Sequence, residues 1–74
     1  MDYQGPLCMH ILLNGDRRDL PSGTSVKSLL GLLGLDARTV AVEVNRKVVK
    51  RDHYAATAIP ADAEVEVVSF VGGG

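Results

Sequence analysis

The sequence predicts an α+β domain in which one helix packs across a single mixed β-sheet. Three observations predict it. Two short β-compatible runs flank an Asn14-Gly15 pair near the start. One amphipathic stretch at helical spacing follows. Alternating valine-rich runs fill the second half.

The first run, Leu7 to Leu13, reads L-C-M-H-I-L-L and is bounded by Pro6 and by Asn14-Gly15-Asp16. Asn-Gly between two strand-like runs is a strong hairpin signal, because both residues tolerate positive φ. Arg17-Arg18-Asp19-Leu20 should therefore return antiparallel, and Pro21-Ser22-Gly23 ends that strand. Thr24 or Ser25 is placed to cap a helix. Val26, Leu29, Leu30 and Leu33 fall at i, i+3, i+4 and i+7, which is one helical face. Gly34 sits where a left-handed C-terminal residue is wanted, with Leu35 free to fold back on the last turn. Gly31 is a flaw in this helix, costing about 1 kcal/mol relative to alanine unless close packing requires it.

Val40, Val42 and Val44 alternate on one face of the next strand. Asn45-Arg46 is a tight-turn candidate, and Lys47-Val48-Val49-Lys50 is a short return strand. Arg51 to Ala58 reads as irregular or one helical turn, and Pro60-Ala61-Asp62-Ala63 as a turn. Glu64 to Val71 is the last strand, with Val65, Val67 and Val71 as its inner residues. One helical stripe must be buried against one sheet face. The order hairpin, helix, strand, short strand, final strand is that of a β-grasp, or ubiquitin-like, arrangement with the last strand inside the sheet. The expected organisation is a loose extension over 1–6, a domain over 7–71 and a glycine tail over 72–74.

Size and composition narrow the function. A chain of 74 residues has one modest core and little room to enclose a substrate, which weakens an enzyme reading. Net charge is −1, from eight basic and nine acidic residues, so there is no electrostatic case for nucleic acid or an acidic membrane. No apolar run has transmembrane length. The single cysteine, Cys8, makes neither an internal disulfide nor a thiolate metal cluster, and a reducing, cytoplasmic setting is expected.

The sequence ends V-G-G-G, with Gly72-Gly73-Gly74 directly after the last strand. One reading is a frayed tail. In the other, the terminal carboxylate is the working group. A carboxylate resists nucleophiles until activated, for instance as an acyl-adenylate, and must enter another protein's active site to be activated. Glycine threads a narrow channel and accepts unusual dihedrals. Three glycines reach about 10 Å when extended, at roughly 3.3–3.6 Å per residue.

The segments "MHILLNGDRRDLPSGTSVKSLLGLLGL" and "VAVEVNRKVVKRDHYAATAIPADAEVEVVSFVGGG" resemble the ThiS-type sulfur carriers of thiamine biosynthesis. That group lies within the ubiquitin-like class that also holds the MoaD-type molybdopterin carriers. The resemblance covers nearly everything after Pro6. It implies a protein co-substrate and not an enzyme. It implies that Gly74 is adenylated by a ThiF-like, E1-type adenylyltransferase using ATP, with no cofactor bound by the carrier itself. The product becomes a thiocarboxylate with sulfur from a sulfur-donating protein, and a ThiG-like thiazole synthase takes that sulfur. Gly73 and Gly72 are then the threadable tail. Two departures are the extension before the first strand and Pro60-Ala61-Asp62-Ala63, where the family usually has Gly-Asp; Asp62 stays in register.

Other candidates are weaker. Cys8 and His10 share a strand face, but two ligands do not make a zinc site, and a small apolar strand face suits Cys8. His53 is isolated from them in sequence. Asp52-His53 is one acid–base pair without a pocket. Arg46-Lys47 and Lys50-Arg51 read as a solvated basic cluster. Phe70, the single Phe, is either core or, if outward, an anchor for the activating enzyme. Two alternatives stand beside the thiazole carrier. One is a MoaD-like carrier. The other is a ubiquitin-like modifier or interaction module with an inert tail.

Overall fold

The computed structural model describes residues 7–70. The expectations for 1–6 and for Val71 to Gly74 lie outside the described residues. The described chain forms β1 (Cys8–Leu13), β2 (Asp16–Pro21), α1 (Val26–Leu33), β3 (Val40–Val44), β4 (Lys47–Val49) and β5 (Glu64–Ser69). Short 3-10 turns lie at Ala37–Thr39 and Arg51–His53. The five strands form one mixed sheet in the order β2-β1-β5-β3-β4, so β5 is central. It runs parallel to β1 and antiparallel to β3. This is the expected β-grasp arrangement.

Local chemistry explains the elements. Asn14 and Gly15 both have positive φ, 51° and 87°, as the tight hairpin turn requires. The Asn45-Arg46 turn repeats the solution at φ 52° and 69°, the second on a residue with no glycine freedom. Ser25 caps α1, its side chain accepting a hydrogen bond from the Ser28 N–H at 3.0 Å. At the other end Gly34 is left-handed. Its N–H bonds the Gly31 carbonyl at 3.1 Å and the Leu35 N–H bonds the Leu30 carbonyl at 2.9 Å, a Schellman closure.

The apolar stripes meet as expected. Val26, Leu29 and Leu30 of α1 are buried against Ile11, Leu13, Val40, Val42, Val44 and Val65 of the sheet. Leu33 packs at the margin. Ile11, Val26, Leu29 and Val65 are wholly buried, and each such side chain contributes about 1.5–3 kcal/mol. The segment between β4 and β5 closes the core at the start of α1. Its Thr57 and Tyr54 carbonyls accept from the Val26 and Lys27 N–H groups at 3.0 and 3.1 Å. Tyr54, Ile59 and Ala63 of this segment are buried, beyond the sequence reading of an irregular stretch and a turn.

Three expectations are corrected. The last strand stops at Ser69 and not Val71. Its partner β3 begins at Val40, opposite Ser69, and beyond that pair a single bond from the Phe70 N–H to the Thr39 carbonyl follows among the described residues. A methyl group at Gly31 would meet nothing within 4 Å, so no close packing calls for that glycine. Cys8 is exposed, because strand alternation turns Met9, Ile11 and Leu13 toward the helix and Cys8, His10 and Leu12 away from it.

Candidate functional site: the open sheet face and the strand leading to the glycines

Helix α1 covers one face of the sheet and leaves the other open. Register places Leu12 of β1, Glu64, Glu66 and Val68 of β5, Ala41 and Glu43 of β3 and Val48 of β4 on that open face. Large apolar groups are left in solvent there: Leu12, Val48 at 72% exposure and Val68. Phe70 follows β5 by alternation and is 61% exposed, so the outward placement is the one observed. Its N–H donates to the Thr39 carbonyl at 3.0 Å, which fixes the backbone two residues before Gly72.

Two of the charges on this face are not neutralised in place. Glu43 sits directly opposite Glu66 across the β3–β5 ladder. Among the described residues neither carboxylate is ion-paired. Like charges directly opposed on a sheet destabilise it by about 0.2–1 kcal/mol. Glu64, one row away, has Arg46 at 3.7 Å.

The remaining polar candidates are structural or dispersed. His10 Nε2 lies 2.7 Å from Asp62 Oδ1, while the Asp62 N–H donates to the His10 carbonyl at 2.8 Å. Together these bonds hold the Asp62 turn, at φ 66°, onto β1. Asp36 accepts from the Arg38 side chain and its backbone N–H, and these bonds hold its carboxyl down at about 2 from an ordinary 3.8. Asp52 and His53 lie in the exposed Arg51–His53 turn. Among the described residues no three His, Cys, Asp or Glu side chains gather within reach of a metal ion. No helix among them is long and apolar enough to cross a membrane. A cleft of about 310 Å³ lies on the helix side, between Leu33, Leu35, Asp16 and Arg18. Gly72, Gly73 and Gly74 lie outside the described residues, so the sheet presents the strand that leads to them and the face beside it.

A helix across one face of a mixed sheet whose central strand precedes the glycines in sequence, with the other face uncovered, defines a β-grasp domain. The ThiS family model matches residues 11–74, through the final glycine. The chain belongs to the ThiS family of sulfur carriers. The crystal structure of a thiamine biosynthesis protein (ThiS) from Geobacter metallireducens superposes with a TM-score of 0.73 at 32% identity. That match covers 89% of this chain and 100% of that one. An NMR structure of a thiamine biosynthesis protein from the same organism gives the same TM-score and identity over 88% of its length. Among curated proteins the chain is 41% identical over 66 residues to a thiazole synthase of Paramagnetospirillum magneticum, and 44% identical to one of Magnetococcus marinus. In each case the match takes in 89% of this chain and 20% of the relative, so the chain spans about a fifth of their length.

The sequence alone did not find the opposed Glu43–Glu66 pair. A pair 23 positions apart in sequence becomes visible only once the register of β3 against β5 is known. Alternation within each strand did carry the signal that both residues share the open face.

Proposed function

We propose that this chain carries sulfur as a thiocarboxylate on Gly74 and delivers it for thiazole formation in thiamine biosynthesis. The observation that carries the proposal is the family match through residue 74, on a domain whose central strand leads to the three glycines. A ThiF-like adenylyltransferase activates the carboxylate. A Gly74 carboxylate oxygen attacks the α-phosphorus of ATP, and pyrophosphate leaves. Hydrosulfide, supplied by a sulfur-donating protein, then attacks the acyl carbon. AMP departs with one oxygen, and the thiocarboxylate remains.

In this reading the described residues supply recognition and not catalysis. Phe70 and Val68, at the end of β5 nearer the glycines in sequence, and Val48 and Leu12 farther along the open face supply apolar docking contacts, and Glu43 and Glu66 select a cationic counterpart. Gly73 and Gly72 let the end pass into the adenylyltransferase without a Cβ in the channel. The thiazole synthase relatives support a thiazole synthase as the sulfur acceptor, since the matched domain is part of those longer chains.

Mass spectrometry of the intact chain and its C-terminal peptide tests this after incubation with ATP, a ThiF-like adenylyltransferase and a sulfur source. The expected result is the exchange of one oxygen for one sulfur, localised to Gly74. An unchanged peptide, where a known carrier is converted in parallel, would favour the interaction-module reading.

A further inference from the structure

Two turns flank the central strand and are built alike. Asn14 follows β1 at φ 51°, and Asn45 follows β3 at φ 52°. Each gives its backbone N–H to β5, Asn14 to the Val65 carbonyl at 2.8 Å and Asn45 to the Glu64 carbonyl at 2.7 Å. Each also turns its side chain onto that strand. Asn45 Oδ1 accepts from the Glu64 N–H at 2.9 Å, at the strand's first residue. Asn14 engages Val67 twice. Its Oδ1 accepts from the Val67 N–H at 2.8 Å, and its Nδ2 donates to the Val67 carbonyl at 3.1 Å.

The location of the second clamp matters. The last residue pair of β1 with β5 is Leu13 with Val65, after which the chain turns into β2. The Asn14 amide replaces the backbone partner that β1 no longer provides. It extends two-sided pairing of β5 to Val67, toward the glycines. From the other side β3 reaches Ser69, and Thr39 holds Phe70.

We propose that Asn14 is a positioning residue for the reaction at Gly74: its amide fixes β5 at Val67 and so sets the direction in which the strand points toward the glycines. The proposal rests on the carrier reading above. β3 pairs with β5 as far as Ser69 and Thr39 accepts from the Phe70 N–H, and those contacts persist without Asn14. What Asn14 adds is a hold on the opposite edge of β5, at Val67, past the last pair that β1 makes. Without it the end of β5 is held along one edge alone, and its twist about that edge is less constrained. Reacting atoms need a near-attack geometry, so a loss of direction there lowers the rate.

Glycine keeps the left-handed turn while deleting the amide, so Asn14→Gly isolates the clamp. Asn45→Gly is the matched control, since it removes a β5 contact from the strand's far end. The steady-state rate of ATP-dependent acyl-adenylate formation is read for both variants and wild type, with thermal midpoints alongside. Asn14→Gly is expected to lower kcat about threefold to tenfold through lost orientation, with KM for the carrier within about twofold. Asn45→Gly is expected to match wild type in kcat at a similar shift in midpoint. Equal kcat in all three chains, a change confined to KM, or a parallel fall in both variants would each overturn the proposal. A wild-type chain that forms no adenylate overturns the carrier reading first and this proposal with it.

Discussion

The two faces of the sheet obey the same alternation and arrive at opposite ends. On the helix side Val40, Val42, Val44, Val65 and Ile11 are buried. On the open side Leu12, Val48 and Val68 stand in solvent, and Glu43 faces Glu66. A sheet selected for stability alone would place polar or oppositely charged pairs in those open positions. The helix face is where this molecule gains its stability, and the open face gives some of it up. On the carrier reading, the open face is the part that meets another protein.

Substitutions separate the two faces, and the largest effect belongs to the core. Leu29→Ala removes a wholly buried side chain from the middle of α1 and should cost about 2–5 kcal/mol in denaturant unfolding. Gly31→Ala, on the outer side of the same helix where a Cβ meets nothing, should raise stability by about 1 kcal/mol in the same measurement. Glu66→Lys should convert the opposed carboxylates into an attractive pair and add about 0.2–1 kcal/mol. On the carrier reading it should also weaken binding to the adenylyltransferase by calorimetry. A loss of stability in that variant would mean that Glu66 has a structural role the open face conceals.

The smallest effect is a pH dependence. Arg38 holds the Asp36 carboxyl at about 2, below its ordinary 3.8. A depressed carboxylate stabilises fully above its unfolded pKa, and that contribution is lost as pH falls through the folded value. Asp36→Asn should therefore flatten the acid limb of the stability profile between those two values and lower neutral stability by the same amount, which exposure of the pair to solvent keeps small. A wild-type profile unaltered by the substitution would show that the exposed pair contributes nothing measurable.

Legibility in the sequence followed the distance between partners. The Asn14-Gly15 turn, the Ser25 cap, the Gly34 closure and the valine alternation are local, and each was readable from a few neighbours. Their order was enough for the β-grasp topology, including the central place of β5. The burial of Tyr54, Ile59 and Ala63 was not readable, because these residues have no periodicity and are fixed by distant segments, Tyr54 by Lys27, Ile59 by Thr24 and Ala63 by Leu12. The Asn14 clamp on Val67 was hidden for the same reason, with 53 positions between the partners. The local signal announced a turn and said nothing of the amide's second use. Cys8 was misread because its side of β1 depends on which face the helix covers. Phe70 stood open between core and surface until the end of β5 was located. For the tail, the sequence supplied the glycines and the family resemblance supplied the proposed role of Gly74.

The division between a stabilising face and a docking face is tested most directly by titrating the isotope-labelled chain with a ThiF-like adenylyltransferase and following its backbone amide NMR signals. The account predicts shift changes or broadening centred on Leu12, Glu43, Val48, Val68 and Phe70, with the exposed outer side of α1 unaffected. Changes centred on Lys27, Gly31 and Leu32 of that helix, with the open face silent, would contradict it.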